Sequence, residues 1–416
     1  MRVRIHRGTR EIGGTCVELE HDGARLLLDL GLPLDGDPDE TSRPPAIDGL
    51  TGGGDLLALV LSHGHRDHVG LAHLAGPGLP VAMGEATLRI LRAAATFVPD
   101  SYVPTNTVTF AKGQTLTFSP FAVTPILIDH SAYDAYALLV EAGGQRLLYS
   151  GDLRAHGRKA ALFEGLVRDP PRGIDTLLLE GSSLGRLVDD RTFPSEAEIE
   201  DRFVGLFGDT AGMALVAASA QNIDRVGSLY RACKRTGRML VLDLYAAEVL
   251  AATGNPRIPQ SEWPGIAVFV PQHQRVRIKR TGRFDLIERH GANRIYTEQL
   301  AAMAPRAALL FRHSLLTDVD RAGCLTGARA IWSQWAGYLD QPRGQVLAGD
   351  LAARGIPLSR AHTSGHASIP DLKRLAAAIA PRQLVPVHTF MPERFPALFG
   401  PNVTIREDGQ WWDTAA

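Results

Sequence analysis

Three cysteines in 416 residues, Cys16, Cys233 and Cys324, stand far apart and form no CxxC pair. A disulfide-stapled scaffold and a cysteine-ligated zinc site are therefore not expected. No apolar run approaches the roughly 18 residues that a membrane span requires. The N-terminal stretch MRVRIHRGTREIGG is charged where a secretory signal would be apolar. A soluble, cytoplasmic chain with no membrane partner is the expectation. Net charge is scarce too: 44 basic residues meet 45 acidic ones, for a formal charge of −1. That excludes a polybasic coat for nucleic acid but leaves room for a local basic groove, since steering depends on how charge is distributed. Lysine occurs only at 112, 159, 234, 279 and 373. Arginine does suit phosphate binding, although GC-rich coding explains the bias more simply. Repeats and low-complexity tracts are absent.

The remaining composition, 45% hydrophobic and 21% charged, is ordinary for a globular chain, and the length suggests two or three domains. The first 185 residues read as short apolar runs separated by turns: RLLLDLG (25–31), DLLALVLS (55–62), FAVTPILI (121–128), QRLLYSGD (145–152) and DTLLLEGS (175–182). Runs of this kind fit strands buried on both faces, which need covering helices; ATLRILRAAATF (86–97) has the period to supply one. A polar residue follows each run: Asp29, Ser62-His63, Asp129-His130, Asp152 and Glu180. Ligands placed where strands end are held rigidly yet stay open to a substrate. From about residue 190 longer β–α–β units take over, predicting a separate α/β domain with a parallel sheet. The first style returns near 355, with QLVPVHTF (383–390) again ending a strand at a histidine. The expected division is a first segment 1–188, an insertion 189–355 and a returning segment 356–416.

The segment LSHGHRDHVG places His63, His65, Asp67 and His68 directly after a buried strand. In an extended segment His63 and His65 point the same way, with Asp67 and His68 on the turn beyond. One metal cannot easily use all four, whereas two metals about 3.5–4 Å apart can. Further ligands are offered at other strand ends by His130, Asp152 and His388. A carboxylate such as Asp152 can bridge two cations while imidazoles complete separate shells. His366 directly precedes SIPDLKRLAAAIA, a predicted helix with Ser368 as its cap, and a histidine beside a helix N-terminus suits a phosphate.

HGHRDH, then a histidine, then SGD resembles the metallo-β-lactamase superfamily, whose fold is a four-layer αββα sandwich. Glu180 in LLLEGSS, His366 in TSGHAS and His388 in VPVHTF resemble its β-CASP branch, which carries an inserted α/β domain. REIGGTCVELE and SAQNIDRV look most like ribonuclease J and related prokaryotic nucleases. The resemblance implies one zinc on His63, His65 and His130, and a second on Asp67, His68 and His388, with Asp152 bridging and manganese as an alternative metal. It implies that Asp29 supports the ligand loop by hydrogen bonding. Asp67, Glu180 and His366 are the implied catalytic residues, Glu180 orienting its neighbours and His366 meeting the scissile phosphate. The implied activity is hydrolysis of phosphodiester bonds in single-stranded RNA, exonucleolytic from the 5′ end or endonucleolytic, by hydroxide held between the metals. DNA, or a small ester or thioester, is the alternative substrate, and a homodimer is a possible assembly. The sequence runs 28 residues past His388, so no counterpart of the further C-terminal domain of ribonuclease J is expected in it.

Weaker signals lie in the insertion. The SAQN loop (219–222) falls between a strand and a helix, so Ser219, Gln221 and Asn222, with Ser364 and His366, are the candidate substrate contacts. RVRIKRTGR (275–283) places five basic residues in nine, readable as a nucleic-acid contact or as the solvated face of a β-ribbon. Arg154 and His156 are candidates to line the mouth of the site, and IWSQWAGYL reads as aromatic core with a tryptophan available to stack a base.

Overall fold

The computed structural model describes residues 1–34, 43–98, 101–188 and 190–414. Two compact units divide it. The first comprises Met1–Arg92, Asp100–Phe193 and Gly365–Ala416; the second comprises Ala93–Pro99 and Pro194–Ser364. The chain changes unit at 193/194 and 364/365, five and nine residues beyond the expected bounds, and the segment Ala93–Pro99, expected in the first segment, belongs to the second unit. Residue 189, the expected start of the insertion, lies outside the described residues.

The first unit holds two sheets. One runs β20 (Trp411–Asp413), β1 (Arg2–Arg7), β2 (Cys16–His21), β3 (Ala24–Leu28), β4 (Leu56–Val60), β5 (Val81–Gly84), β6 (Thr107–Phe110). The other runs β19 (Gln383–Val387), β11 (Thr176–Glu180), β10 (Gln145–Tyr149), β9 (Ala135–Ala142), β8 (Phe121–Ile128), β7 (Leu116–Phe118). Val3, Ile5, Leu26, Leu28 and Val60 of the first sheet share one core with Phe121, Val123, Leu138, Leu147 and Val387 of the second. On the outer face of the second sheet, Leu148, Leu177 and Leu179 pack with Phe163 and Leu166 of the helix Ala160–Arg168 and with Leu372, Leu375 and Ile379 of the helix Ile369–Ile379. The outer face of the first sheet packs Leu27, Leu59 and Met83 with Val69, Leu71 and Leu88. Every layer is therefore a helix or sheet whose apolar face has a partner, giving the four-layer α–β–β–α order.

Parallel pairing decides where the site falls. β3 pairs with β4 in parallel, as do β10 with β11 and β11 with β19. Their C-terminal ends therefore point the same way, and the residues just beyond them converge. β11 and β19 are buried at every position, which is what an apolar run without alternation predicts. Closure at the sheet edge was not legible in the sequence: β20, next to the C-terminus, pairs antiparallel with β1 at the N-terminus.

The second unit is a parallel sheet in the order β15 (Arg294–Ile295), β14 (Ile266–Phe269), β13 (Met239–Asp243), β16 (Ala307–Phe311), β12 (Ala214–Ala217), β17 (Arg329–Trp332), β18 (Leu358–Arg360). Its charged core pair is Arg225, fully buried, with Glu196: Nε and Nη2 donate to the two carboxylate oxygens at 3.1 and 2.9 Å. The basic stretch 275–283 is helical rather than a β-ribbon. Its first seven residues complete the helix Gln272–Thr281, whose buried Gln274 and Ile278 lie one turn apart, and left-handed Gly282 ends it. Arginine and lysine are good helix formers, and the spacing of four that buries one face does not suit a strand. In IWSQWAGYL only part is core: Trp332 is buried, whereas Trp335 and Tyr338 are exposed and pack edge to face.

Candidate metal centre

Six strand ends deliver the polar cluster of the first unit. Asp29 follows β3, His63 follows β4, His130 follows β8, Asp152 follows β10, Glu180 ends β11 and His388 follows β19. The loop after β4 then turns into the short helix Arg66–Val69, which adds Asp67 and His68. This loop lies against residues 30–32, with Leu30 N–H and Leu32 N–H donating to the carbonyls of His68 and Arg66 at 2.9 Å. Only glycine fits between them: a Cβ on Gly31 would sit 1.7 Å from the Asp67 carbonyl oxygen.

His63, His65 and His130 bring one ligand atom each within 4.8 Å of one another, and so do Asp67, His68, Asp152 and His388. Nδ1 of His65 and Nε2 of His130 are 3.0 Å apart. Two nitrogens bound tetrahedrally at zinc–nitrogen lengths would be about 3.3 Å apart. Oδ2 of Asp152 lies 3.8 Å from Nε2 of His63, 3.2 Å from Nε2 of His68, 4.0 Å from Nε2 of His130 and 3.7 Å from Nε2 of His388. It is the common neighbour of both groups. Nε2 of His388 is also 3.7 Å from Oδ2 of Asp67.

The outer nitrogens fix the tautomers. Ser62 Oγ donates to Oδ2 of Asp29 at 2.7 Å and accepts from Nδ1 of His63 at 3.0 Å. Nδ1 of His68 donates to Oδ2 of Asp29 at 2.7 Å, and Nδ1 of His130 to the carbonyl of Gly365 at 2.6 Å. Nδ1 of His388 lies 2.6 Å from Oγ1 of Thr15. With Nδ1 engaged, each ring presents Nε2 inward. Asp29 also accepts from Ser62 N–H and Tyr149 O–H, both at 2.7 Å. Ser62 was marked in the sequence only as a polar residue at a strand end, and Thr15 and Tyr149 were not singled out, although Thr15 lies inside the REIGGTCVELE stretch. Asp29 and His388 adopt positive φ, at 58° and 54°, a conformation that residues with a Cβ hold only where their surroundings enforce it.

Five atoms at the centre are buried without a hydrogen-bond partner: Nε2 of His63, His68 and His388, and both carboxylate oxygens of Asp152. Orphaned buried polar groups cost about 1–3 kcal/mol each, so this many in one place asks for a ligand. Divalent metals fit the donor set, which combines imidazole nitrogens with carboxylate oxygens. The electrostatics agree. Burial holds the imidazoles of His63 and His130 well below their usual pKa, leaving lone pairs for coordination. Burial pushes Asp152 up, but His388, His68 and His366 outweigh it and keep its carboxyl well below the usual range. His68 is the exception, raised well above the ordinary histidine value: burial opposes this, but Asp152 and Asp29 prevail.

His366 stands at the edge of this cluster. Its Nδ1 lies 3.2 Å from Glu180 and 3.8 Å from Oδ2 of Asp152. Burial lowers its pKa, yet Glu180 and Asp152 raise it to about 9. Glu180 is itself held by Leu153 N–H at 3.2 Å and Ser182 N–H at 3.1 Å. Ser368 caps the helix that follows, as its position predicted. Arg154 does not line a mouth: it is fully buried, with Nε 3.2 Å from Oδ1 of Asp129, and His156 is buried as well. Ser219, Gln221, Asn222 and Ser364 belong to the second unit. There the carboxamide oxygen of Asn222 caps a helix by accepting from Arg225 N–H at 3.1 Å, and Gln221 Nε2 donates to Tyr245 O–H at 3.1 Å.

Two packed sheets between helical layers, with a cluster of histidines and carboxylates at the strand ends, are the arrangement of the metallo-β-lactamase fold, here carrying a parallel-sheet insertion. Residues 32–187 match the family described as "Beta-lactamase superfamily domain". The chain resembles ribonuclease J: it is 26% identical to that of Mycobacterium tuberculosis over 417 residues, covering 93% of this chain and 68% of the relative. Ribonuclease J of Mycolicibacterium smegmatis is 25% identical over the same shares, and that of Sinorhizobium meliloti 23% identical over 80% of this chain and 58% of the relative. Among solved structures, a protein of unknown function from Enterococcus faecalis superposes with a TM-score of 0.79 over 99% of both chains at 21% identity, a likeness of fold.

Proposed function

We propose that this protein is a metal-dependent ribonuclease that hydrolyses phosphodiester bonds of single-stranded RNA. The observation that carries this reading is the set of orphaned inward-facing atoms on His63, His68, His388 and Asp152, in a chain similar to ribonuclease J over 93% of its length. His63, His65 and His130 would hold one metal, and Asp67, His68 and His388 the other, with Asp152 shared. Zinc suits the imidazoles and manganese the carboxylates. Bound there, the metals supply Lewis acidity for the phosphate and lower the pKa of water enough to make it a nucleophile near neutral pH.

The protein's own groups supply the rest. Thr15, Ser62, Asp29 and the Gly365 carbonyl orient the imidazoles before any ligand arrives, so little reorganisation is left for the reaction. With Nδ1 against Glu180, a carboxylate that favours its protonated form, His366 is placed to carry positive charge. It offsets charge that builds on the nonbridging oxygens of the scissile phosphate. Asp67 contributes a carboxylate that is only partly buried, next to the ligand histidines. In the second unit, Ser219, Gln221 and Ser364 are the proposed contacts to the strand, together with the amide nitrogen of Asn222.

The test uses protein loaded with zinc or manganese and matched single-stranded RNA and DNA oligonucleotides carrying a 5′ monophosphate or hydroxyl. RNA cleavage is expected, and mononucleotide or internal products separate exonuclease from endonuclease action. His65→Ala and Asp152→Ala should abolish cleavage with the circular dichroism spectrum unchanged. Full activity in either variant with metals verified absent overturns the mechanism, and cleavage of DNA alone overturns the substrate.

A further inference from the structure

The helix Gln272–Thr281 of the second unit, sequence QHQRVRIKRT, carries Arg275, Arg277, Lys279 and Arg280 and no acidic residue. Its inner face is settled: Gln274 donates to Asp243, Ile278 is fully buried, and Arg277 donates to the Thr96 carbonyl at 3.1 Å. Arg275, Val276, Lys279 and Arg280 are exposed. Arg275 and Lys279 are one turn apart, as are Val276 and Arg280, so the four residues form two adjacent rows on one face.

This face is costly for the protein on its own. Like charges at i and i+4 destabilise a helix, and no carboxylate on the helix relieves them. The nearby acids are committed elsewhere. Asp285 pairs with Arg283 at 2.9 Å, and Asp318 accepts from the N–H of Gln272 at the other end of the helix at 3.0 Å. Among the described residues none pairs with Arg275, Lys279 or Arg280. Other exposed arginines of the unit do meet acids, Arg235 with Glu200 and Asp201 and Arg354 with Asp320 and Asp350, and what sets this helix apart is that three such cations share one face. The same region also exposes apolar surface, with Val276 at 55% and Phe284, just past the end of the helix, at 53%. Unpaired cations beside an exposed aromatic form the surface that single-stranded nucleic acid uses, with phosphates on the cations and a base on the ring.

We propose that the outward face of the helix Gln272–Thr281, formed by Arg275, Lys279 and Arg280, together with the exposed Phe284 that follows it in the chain, is a docking surface for the sugar–phosphate backbone of single-stranded RNA. The inference rests on the nuclease reading for its choice of partner. It adds a place where a long strand is held by residues outside the ligand cluster, so that long substrates gain affinity that short ones do not.

The experiment compares the wild-type protein with the triple variant Arg275→Gln, Lys279→Gln, Arg280→Gln, and with the charge-preserving variant Arg275→Lys, Arg280→Lys. Binding of a fluorescent 20-nucleotide RNA is followed by anisotropy across a salt series in the presence of metal and at low temperature. Three lost phosphate contacts should lower the slope of log K against log salt by about 2 and weaken binding on the order of 10²-fold at 50 mM salt. The charge-preserving variant should keep the wild-type slope. Phe284→Ala should weaken binding about tenfold with the slope unchanged. Hydrolysis of a dinucleotide, whose single phosphodiester is the one cleaved and which has no further phosphate to offer these cations, should proceed at wild-type rate in every variant. An unchanged slope and affinity in the triple variant overturns the proposal while leaving the nuclease reading intact. So does a charge-dependent affinity for phosphatidylserine vesicles that appears without any change in RNA binding. Conversely, a protein inert towards every phosphodiester but still binding RNA through these residues would refute the nuclease and support the surface.

Discussion

Asp29→Asn tests whether the buried carboxylate behind the ligand loop sets metal affinity. The side chain receives four donors: Ser62 N–H on Oδ1, and Ser62 O–H, Tyr149 O–H and His68 Nδ1–H on Oδ2, all within 2.7 Å. Asparagine keeps the shape and tolerates the φ of 58°, so the backbone adds no strain. The amide, however, can offer only one oxygen. With its oxygen in the Oδ2 position, its NH2 faces the N–H of Ser62, a donor-to-donor contact in a dry site. Leaving that N–H unpaired costs about 1–3 kcal/mol of folding stability. His68 separately loses the charged partner that makes it a strong ligand, a loss of about 10- to 100-fold in metal affinity. Zinc competition against a chromophoric chelator measures the second effect, and thermal unfolding of the metal-free protein measures the first. Tyr149→Phe is the control, because it removes one donor but keeps the charge and the His68 contact. It should cost about 1 kcal/mol in stability and leave metal affinity within about threefold. Chelator curves for Asp29→Asn that overlay those of the wild type would refute the reasoning.

The other support contacts and the core make parallel predictions. Thr15→Val removes the hydroxyl 2.6 Å from Nδ1 of His388, and should weaken metal binding about tenfold in the same competition assay, with little change in secondary structure. Arg225→Met leaves the buried Glu196 carboxylate without its cation, with Ser228 Oγ still donating to it at 2.8 Å, so chemical denaturation should show about 3–5 kcal/mol lost from the second unit, and Glu196→Gln in the same chain should restore part of it. Acid should weaken the first unit through Glu18. Burial pushes this carboxyl up, but His6, Arg4 and Arg25 hold it down at about 2. A folded-state pKa below the unfolded one contributes stability that is fully present above about pH 4.5 and is lost as pH falls towards 2. Glu18→Gln should flatten the denaturation midpoint over that window, and an unaltered pH profile would dismiss the network as an acid-sensitive element.

The metal-ligand candidates were legible because they need unusual residues at fixed places. Three histidines and an aspartate within His63–His68 stand out against any composition, and His130, Asp152 and His388 each follow an apolar run whose end is marked in the sequence. Parallel pairing of β3 with β4, and of β10, β11 and β19, then brings those ends to one side of the fold. The supporting roles were harder to see, because hydrogen-bonding groups such as Thr15, Ser62 and Tyr149 are common everywhere and become informative only once a partner sits within about 3 Å. Asp29 was visible as a polar residue at a strand end, but its supporting role was legible only through the resemblance; nothing in its local sequence tells that four donors meet there. The basic stretch 275–283 shows a different limit. Its charge was visible at once, but the contrast between Ile278, buried, and Val276, exposed, needed the helix to be placed against its sheet. Periodicity says which residues share a face. Which face turns inward is set by what the rest of the chain brings to meet it, here Gln274 against Asp243 and Arg277 against Thr96. The exposed cations are those that remain after these inward contacts are made, so their availability for a ligand is a property of the folded unit rather than of the sequence run.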